Sequence, residues 1–266
     1  MAEEKQGPVL QPIPADGLFP PLLADPQTPI PSLKYFSTTN RESLIGKISA
    51  GASFGLMRFE NGGMAVQLNI EGGIFSRFDL YDFVYAETLD YRIGSSLDIV
   101  RSSSLEGWAL QIAPYHTSAH LLDDQIFKDA ITGVINKPAD YSRDAVRFLA
   151  AYRFSPLNRI YAGMTYAHDG INSRSLFNYQ AGSEFFTPAK ILLGREFRLY
   201  LAEDLQVKEE TDRNLNLNLQ AGLSVRQQDR QHGMRIAVEF FDGNAVEGQF
   251  FEQKEQNIGI AAYFDL

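Results

Sequence analysis

The segment Arg213–Arg226, RNLNLNLQAGLSVR, limits what this chain can become more than any other stretch. Leu215, Leu217, Leu219, Ala221, Leu223 and Val225 fall on one parity. Asn214, Asn216, Asn218, Gln220, Gly222, Ser224 and Arg226 fall on the other. Successive side chains of a strand point to opposite faces, so the segment has one apolar and one strongly polar face. It is also longer than the roughly 9–11 tilted residues with which a strand crosses a bilayer. Hydrophobic residues make up 44% of the 266-residue chain, yet no run approaches the ~20 apolar residues of a transmembrane helix. A spanning form must then pair its backbone between the strands of a closed barrel.

The same alternation recurs from Lys34 onward. Ile48, Ala50, Ala52, Phe54 and Leu56 alternate with small or charged residues, and Glu60-Asn61-Gly62-Gly63 marks a tight hairpin turn. Met64–Glu71 and Leu89–Ile99 repeat the pattern, as do Trp108–Ile112 and Val146–Phe154. Later strands centre on Ile160–His168, Phe177–Phe185, Ile191–Leu201, Arg213–Arg226 and Met234–Phe241, and Ile258–Leu266 closes the chain. With a first strand near Ser32–Thr39 the spacing predicts about twelve, and single-chain bacterial barrels have even counts. The junctions Glu60–Gly63, Ser102–Glu106, Ser155–Asn158, Thr187–Lys190 and Gln227–Gly233 are mostly short. The opposite junctions include the longest gap, Leu121–Tyr141, and the charged stretches Asp204–Asp212 and Asp242–Glu255. Short turns at one end and long loops at the other are the outer-membrane asymmetry.

A soluble sandwich or lipocalin-like barrel would show the same period with the faces reversed. The minority face argues against it, because it carries too much charge to fill a dry core. It is expected to line the lumen with Lys47, Glu71, Asp90, Arg92, Asp98, Arg147, Arg153, Glu196, Arg198, Arg235 and Glu239. The fold expected is therefore all-β, an antiparallel transmembrane β-barrel of about 12 strands over residues 32–266, behind a Pro-rich extension over residues 1–31.

That extension holds Pro8, Pro12, Pro14, Pro20, Pro21, Pro26, Pro29 and Pro31, which exclude helix and central strand. Leu18, Phe19, Leu22 and Leu23 suggest that it docks, either as a periplasmic extension or within the lumen, and a disordered leader is the alternative for residues 1–14. It is expected outside or inside the wall, not in it. The start MAEEKQG has no apolar core and is no signal peptide, which points to a mature sequence with its leader removed and Met1 added. A cytoplasmic protein is the alternative.

The net charge of -9 argues against a nucleic-acid partner, which needs clustered Lys and Arg. With no cysteine there is no disulfide framework, thiolate metal site or Cys nucleophile.

LFPPLLADP (Leu18–Pro26), YHTSAHLLDD (Tyr115–Asp124) and FFDGNAVEGQFFEQKEQNIGIAAYFDL (Phe240–Leu266) together resemble a bacterial envelope family catalogued only as a domain of unknown function. The resemblance covers nearly the whole chain and implies an outer-membrane barrel without an established activity. Apolar residues at every second position of the last strand also resemble the C-terminal assembly signal of outer-membrane barrels, although the terminal Leu266 stands where Phe is more usual. The partners implied are outer-membrane lipids and the barrel assembly machinery. The function expected is a structural component or narrow solute pathway of the bacterial outer membrane.

One cluster offers chemistry: His116, Ser118, His120, Asp123 and Asp124. Parity from Leu110 and Ile112 places His116 and Ser118 on the lipid face near the outer end of their strand, where polar groups are cheap. This His-x-Ser pair resembles that of outer-membrane phospholipase A and the lipid A deacylases, which carry such a pair on the outer wall. The Asn-Gly after the phospholipase serine is replaced here by Ala119-His120. The resemblance implies an alternative function, a serine-type lipid hydrolase with Ser118 as nucleophile and His116 as base. If the hairpin is symmetric about residue 130, Asp144 lies opposite His116 and orients it. His120 replaces His116 if Pro114 introduces a bulge that shifts the register. The other reading is a rim of polar residues without chemistry. Asp123, Asp124 and Asp129 offer oxygen ligands for Ca²⁺, or a solvated charge run. His168 and His232 read as surface residues. No cofactor is otherwise expected.

Overall fold

The computed structural model describes residues 7–39, 43–81, 84–101, 106–133, 138–169, 174–227 and 233–265. A four-residue strand β1 (Val9–Pro12) comes first. The wall begins with β2 (Ser32–Thr38), β3 (Ser43–Asn61), β4 (Met64–Asp79) and β5 (Tyr85–Arg101). It continues with β6 (Gly107–Leu121), β7 (Tyr141–Arg153), β8 (Arg159–Asp169) and β9 (Arg174–Phe186). After a three-residue strand β10 (Lys190–Leu192) come β11 (Arg195–Lys208), β12 (Leu215–Gln227), β13 (Gly233–Asn244) and β14 (Lys254–Asp265). Twelve of these pair antiparallel in sequence order, and β14 closes the ring on β2 from Asn257↔Thr38 to Tyr263↔Ser32. Gly62 and Gly63, both at positive φ, make the β3–β4 turn at one end, the turn end. The opposite, loop end carries helix α1 (Asp123–Thr132) between β6 and β7.

The wall is apolar outside and polar inside. On β12, Asn216, Asn218, Gln220 and Ser224 are buried while Leu215 is 56% exposed. The other strands repeat this: Ile70, Ile93, Leu110, Phe148, Leu199, Ile236 and Ile260 are exposed, and Gln67, Asp98, Gln111, Glu239 and Asn257 are buried. A soluble barrel would reverse these faces. Exposed alternating side chains of this kind are stable only against a hydrocarbon phase, so the fold is a transmembrane β-barrel.

Three details differ from the sequence reading. The alternation over Ile191–Leu201 is not one strand. Leu193 and Gly194 take φ of 51° and 70°, so β10 folds back on Arg195–Phe197. β11 then continues to Lys208, through a stretch read as a charged loop, because Asp204 points into the lumen and accepts bonds from Tyr161 (2.8 Å) and Gln180 (2.7 Å). Second, Val9–Pro12 is in the sheet. β2 covers β3 only between Ser43 and Ser49, and β1 pairs with Met57–Glu60 along the edge left open. Third, Pro114 shifts nothing. β6 keeps one register against β7 from Gly107↔Arg153 to Ala119↔Tyr141. The junctions Ser102–Glu106 and Gln227–Gly233, with His232 and Leu266, reach outside the described residues.

Candidate functional site

The lumen is occupied by the chain's own start. Ile13 leaves the β3 edge with its amide on the Leu56 carbonyl (3.1 Å), and the segment that follows rises into the barrel and returns to β2 at Ser32. Prolines make this possible: a backbone with few N–H groups leaves few donors to satisfy away from a sheet. The inner wall supplies the bonds that remain. Arg159 donates to the carbonyls of Pro20 and Pro21, both at 2.7 Å, while its guanidinium pairs with Glu184. Glu184 in turn accepts the Leu23 amide (2.8 Å), and Asn218 donates to the Ala24 carbonyl (2.7 Å). Asp25 pairs with Arg147 at 3.2 Å.

Packing follows the same plan. Phe19 and Leu22 lie among Ala65, Ala109, Leu149 and Ala151; Leu23 and Ile30 lie among Tyr200, Ala202, Ala237 and Ala261. Small inward residues on the wall leave the volume that the plug's large ones take up. Burying each such side chain is worth about 1.5–3 kcal/mol. Gly51 and Gly73, cross-strand partners, extend this: a Cβ on them would come within 2.8 and 2.9 Å, respectively, of the Pro29 Cβ. Two cavities beside the plug are small, about 60 Å³ between Asp25, Arg92 and Arg147 and about 40 Å³ beside Lys47 and Glu239. They have room for water only.

The loop end has its own closure. Between β13 and β14 the chain dips inward as a 3₁₀ turn at Gly248–Phe250. The Gly248 amide bonds Asp90 (2.8 Å), and Gln249 reaches the carbonyls of Ala119 (2.6 Å) and Ala139 (2.7 Å). Glu247 pairs with Lys47 (2.8 Å) and with Arg77 (3.6 Å), which also binds Glu87 and Glu255 and stacks 4.9 Å over the Phe250 ring. Burial alone would raise the Glu247 carboxyl, but Lys47 and Arg77 outweigh it and hold it down at about 2.

Of the residues expected to line the lumen, Glu71 pairs with Arg92 (3.3 Å), Glu239 with Lys34 (3.2 Å) and Arg235 with Asp265 (3.0 Å). Asp98 accepts from Gln111 and from the Phe19 amide of the plug. Arg153 is buried, while Glu196 and Arg198 pair with each other, half-buried, near the turn end. Residues not singled out in the sequence carry as much of the network: Asp25, Arg77, Arg159, Glu184 and Glu247. Their signal was faint, since Asp25 and Glu247 lie in loops and pair with wall residues more than a hundred positions away.

On the outer wall His116 stands directly across from Asp144, with Nδ1 at 2.8 Å from Oδ1. His168 is the next partner in that row, opposite Asp144 on β8. Ser118 bonds His120 instead, Oγ to Nε2 at 3.0 Å, and His120 lies edge-on to Tyr91. The structure thus divides the expected triad into two exposed pairs, His116–Asp144 and Ser118–His120. The acidic run does not converge as Ca²⁺ ligation would require. Asp124 accepts the Ala86 amide (3.2 Å) and Asp129 takes the Gln125 side chain on the buried face. Among the described residues no three His, Cys, Asp or Glu are grouped to hold a metal ion.

Over residues 3–266 the chain matches the family described as Protein of unknown function (DUF1207). Among solved structures, the beta domain of the Bordetella autotransporter BrkA is 12% identical, with 88% of this chain and 96% of that one covered at a TM-score of 0.49. The NanC porin is 8% identical, with 89% and 100% covered at 0.49. The anion-selective porin from Comamonas acidovorans is 9% identical, with 88% and 97% covered at 0.37. No curated protein matches.

Proposed function

This chain belongs to the DUF1207 family, and we propose that it is an outer-membrane barrel closed by its own N-terminal segment, a structural component of the envelope rather than an open pathway. The outer-membrane reading rests on the apolar exterior of a closed barrel, the architecture by which strands span a bilayer. The closed reading rests on one observation: the segment from Phe19 to Pro31 occupies the lumen, fixed by Asp25–Arg147 and by wall donors to its carbonyls. A twelve-stranded wall is intermediate between barrels that side chains fill and barrels that leave a channel, so strand number favours neither state and the plug is what supports the closed reading. Planar-bilayer recording tests it. The full chain is expected to stay silent across voltage, and a variant lacking residues 7–31 to conduct. Discrete steps from the intact chain, changed by altering Arg147 or Arg198, would favour the narrow solute pathway instead.

A second reading draws on the outer-wall pairs. Ser118 has a histidine nitrogen at hydrogen-bond distance, and a histidine–carboxylate pair begins two residues back along β6 at His116. In a serine-type lipid hydrolase Ser118 Oγ would add to an ester carbonyl as its proton passes to His120, and the alcohol would leave with that proton. Water, deprotonated by His120, would then cleave the acyl-serine to free the fatty acid and return the proton to Ser118. Fatty-acid release from phospholipid or lipopolysaccharide in mixed micelles, with and without Ca²⁺, tests this reading. Equal release by Ser118→Ala would end it.

A further inference from the structure

Helix α1 has its faces turned the wrong way for a water-exposed surface. Gln125 and Asp129, one turn apart, are 4% and 7% exposed. Ile126, Phe127 and Ile131 stand outward at 51%, 64% and 69%. A surface helix in water buries its apolar stripe. This one buries the polar stripe, as the wall strands do.

The orientation is fixed by bonds to the barrel. The Leu122 amide bonds the Glu87 carbonyl (3.0 Å), and Asp124 accepts the Ala86 amide (3.2 Å). Lys128 reaches Asp79 across the ring of Tyr85, 5.6 Å away. The β4–β5 connection, flanked by Asp79 and Tyr85, exposes Tyr81 and Val84 as well, at 61% and 71%.

Height narrows what covers these side chains. Trp108, exposed at the turn end of β6, fits the aromatic girdle at one edge of the apolar band. At about 3.3 Å per residue and ~40° of tilt, the strand climbs roughly 33 Å from Trp108 to Leu121. The band is about 25 Å tall. β6 therefore ends about 8 Å past the apolar band, at the level of the headgroups, and a helix that starts there beds apolar side chains back toward the headgroup/acyl boundary as interfacial helices do. His116 to His120 fall just below it, at the boundary where polar side chains are tolerated.

We propose that α1 is an interfacial helix that beds Ile126, Phe127 and Ile131 in the lipid leaflet at the loop end. The occupant is a lipid surface, continuous with the hydrocarbon around the wall, because β5, against which the helix packs, carries the exposed row Tyr91, Ile93 and Leu97 toward the same place.

Tryptophan fluorescence tests this. Trp108 is the chain's single tryptophan, so Trp108→Phe gives a silent background for Phe127→Trp, with Ile131→Trp as a second probe. Each variant is placed in phosphatidylcholine vesicles brominated near the chain heads, with heat-modifiable migration showing that the barrel is folded. Emission from both probes is expected to fall at least twofold relative to unbrominated vesicles, as for the outward-facing Trp108 of the wild type. Emission untouched by bromine but quenched severalfold by aqueous acrylamide would overturn the proposal. So would bromine-insensitive emission that shifts as the protein-to-lipid ratio is lowered, the mark of a second copy.

Discussion

The side-chain amide of Gln27 donates to the carbonyl of Val246 at 2.9 Å, and this bond joins the closures of the two ends of the lumen. Gln27 belongs to the segment that enters from the turn end. Val246 belongs to the β13–β14 loop folded in from the loop end. Around the contact, Arg92 donates to the Gln27 carbonyl (3.4 Å) and Glu247 holds Lys47 and Arg77. Each closure is anchored in the wall, and each supports the other.

The loop-end closure is expected to be acid-labile. The folded Glu247 carboxyl is depressed to about 2 from an ordinary 4.5. A depressed carboxylate contributes stability above its unfolded value and loses it as pH falls through the folded one. Barrel stability, read as the temperature at which the compact gel band converts, should hold down to about pH 4.5 and decline toward pH 2. Glu247→Gln should flatten that decline. An unchanged acid limb in the variant would assign it to other groups.

Two arginines of the polar face should differ sharply. Arg147 is buried against Asp25, and removing one partner of a buried pair costs about 3–5 kcal/mol because the other charge is stranded. Arg198 pairs with Glu196 while both are half-exposed, a setting worth about 0–1 kcal/mol. Arg147→Ala should lower denaturant resistance strongly and Arg198→Ala barely. Equal losses would mean that Asp25 does not depend on Arg147.

The contrast also shows what the sequence could and could not carry. Alternation fixes which face a residue takes, so the wall, its twelve strands and the opposition of His116 and Asp144 were legible from parity and hairpin symmetry. Partners across the lumen were not. Arg159 meets Pro20 and Glu184 meets Leu23 through space, at separations that no period encodes. The plug itself reads as a Pro-rich stretch with a few large apolar residues, equally suited to a loose leader. Leu193 misled in the other direction, because a leucine at positive φ gives no turn signal.

The outer-wall serine carries its own prediction. If Ser118 acts on lipid esters, His120→Ala removes the nitrogen it contacts and should lower release about 10²–10⁴-fold. Asp144→Asn, acting through His116, should then cost much less. The reverse ranking would make His116 the base, with Ser118 turning toward it. No release from wild type would leave both pairs as rim polarity.

The seat of Pro29 separates the plug from the wall most cleanly. Gly73 faces the lumen, and a Cβ there would lie 2.9 Å from the Pro29 Cβ and 3.3 Å from the Phe75 ring. Gly72, next in the chain, faces the other way, and its Cβ would meet only the Arg92 carbonyl at 3.5 Å. Overpacking costs about 1–3 kcal/mol, whereas open surface changes stay near 0.5. Gly73→Val should therefore push the Thr28–Pro31 limb off the wall, expose the plug to protease added at the turn end and give intermittent conductance. Gly72→Val adds its bulk on the lipid side and should leave the plug protected and the barrel silent. If both variants behave alike, the effect comes from strand stiffness, and the glycine is no seat for the proline.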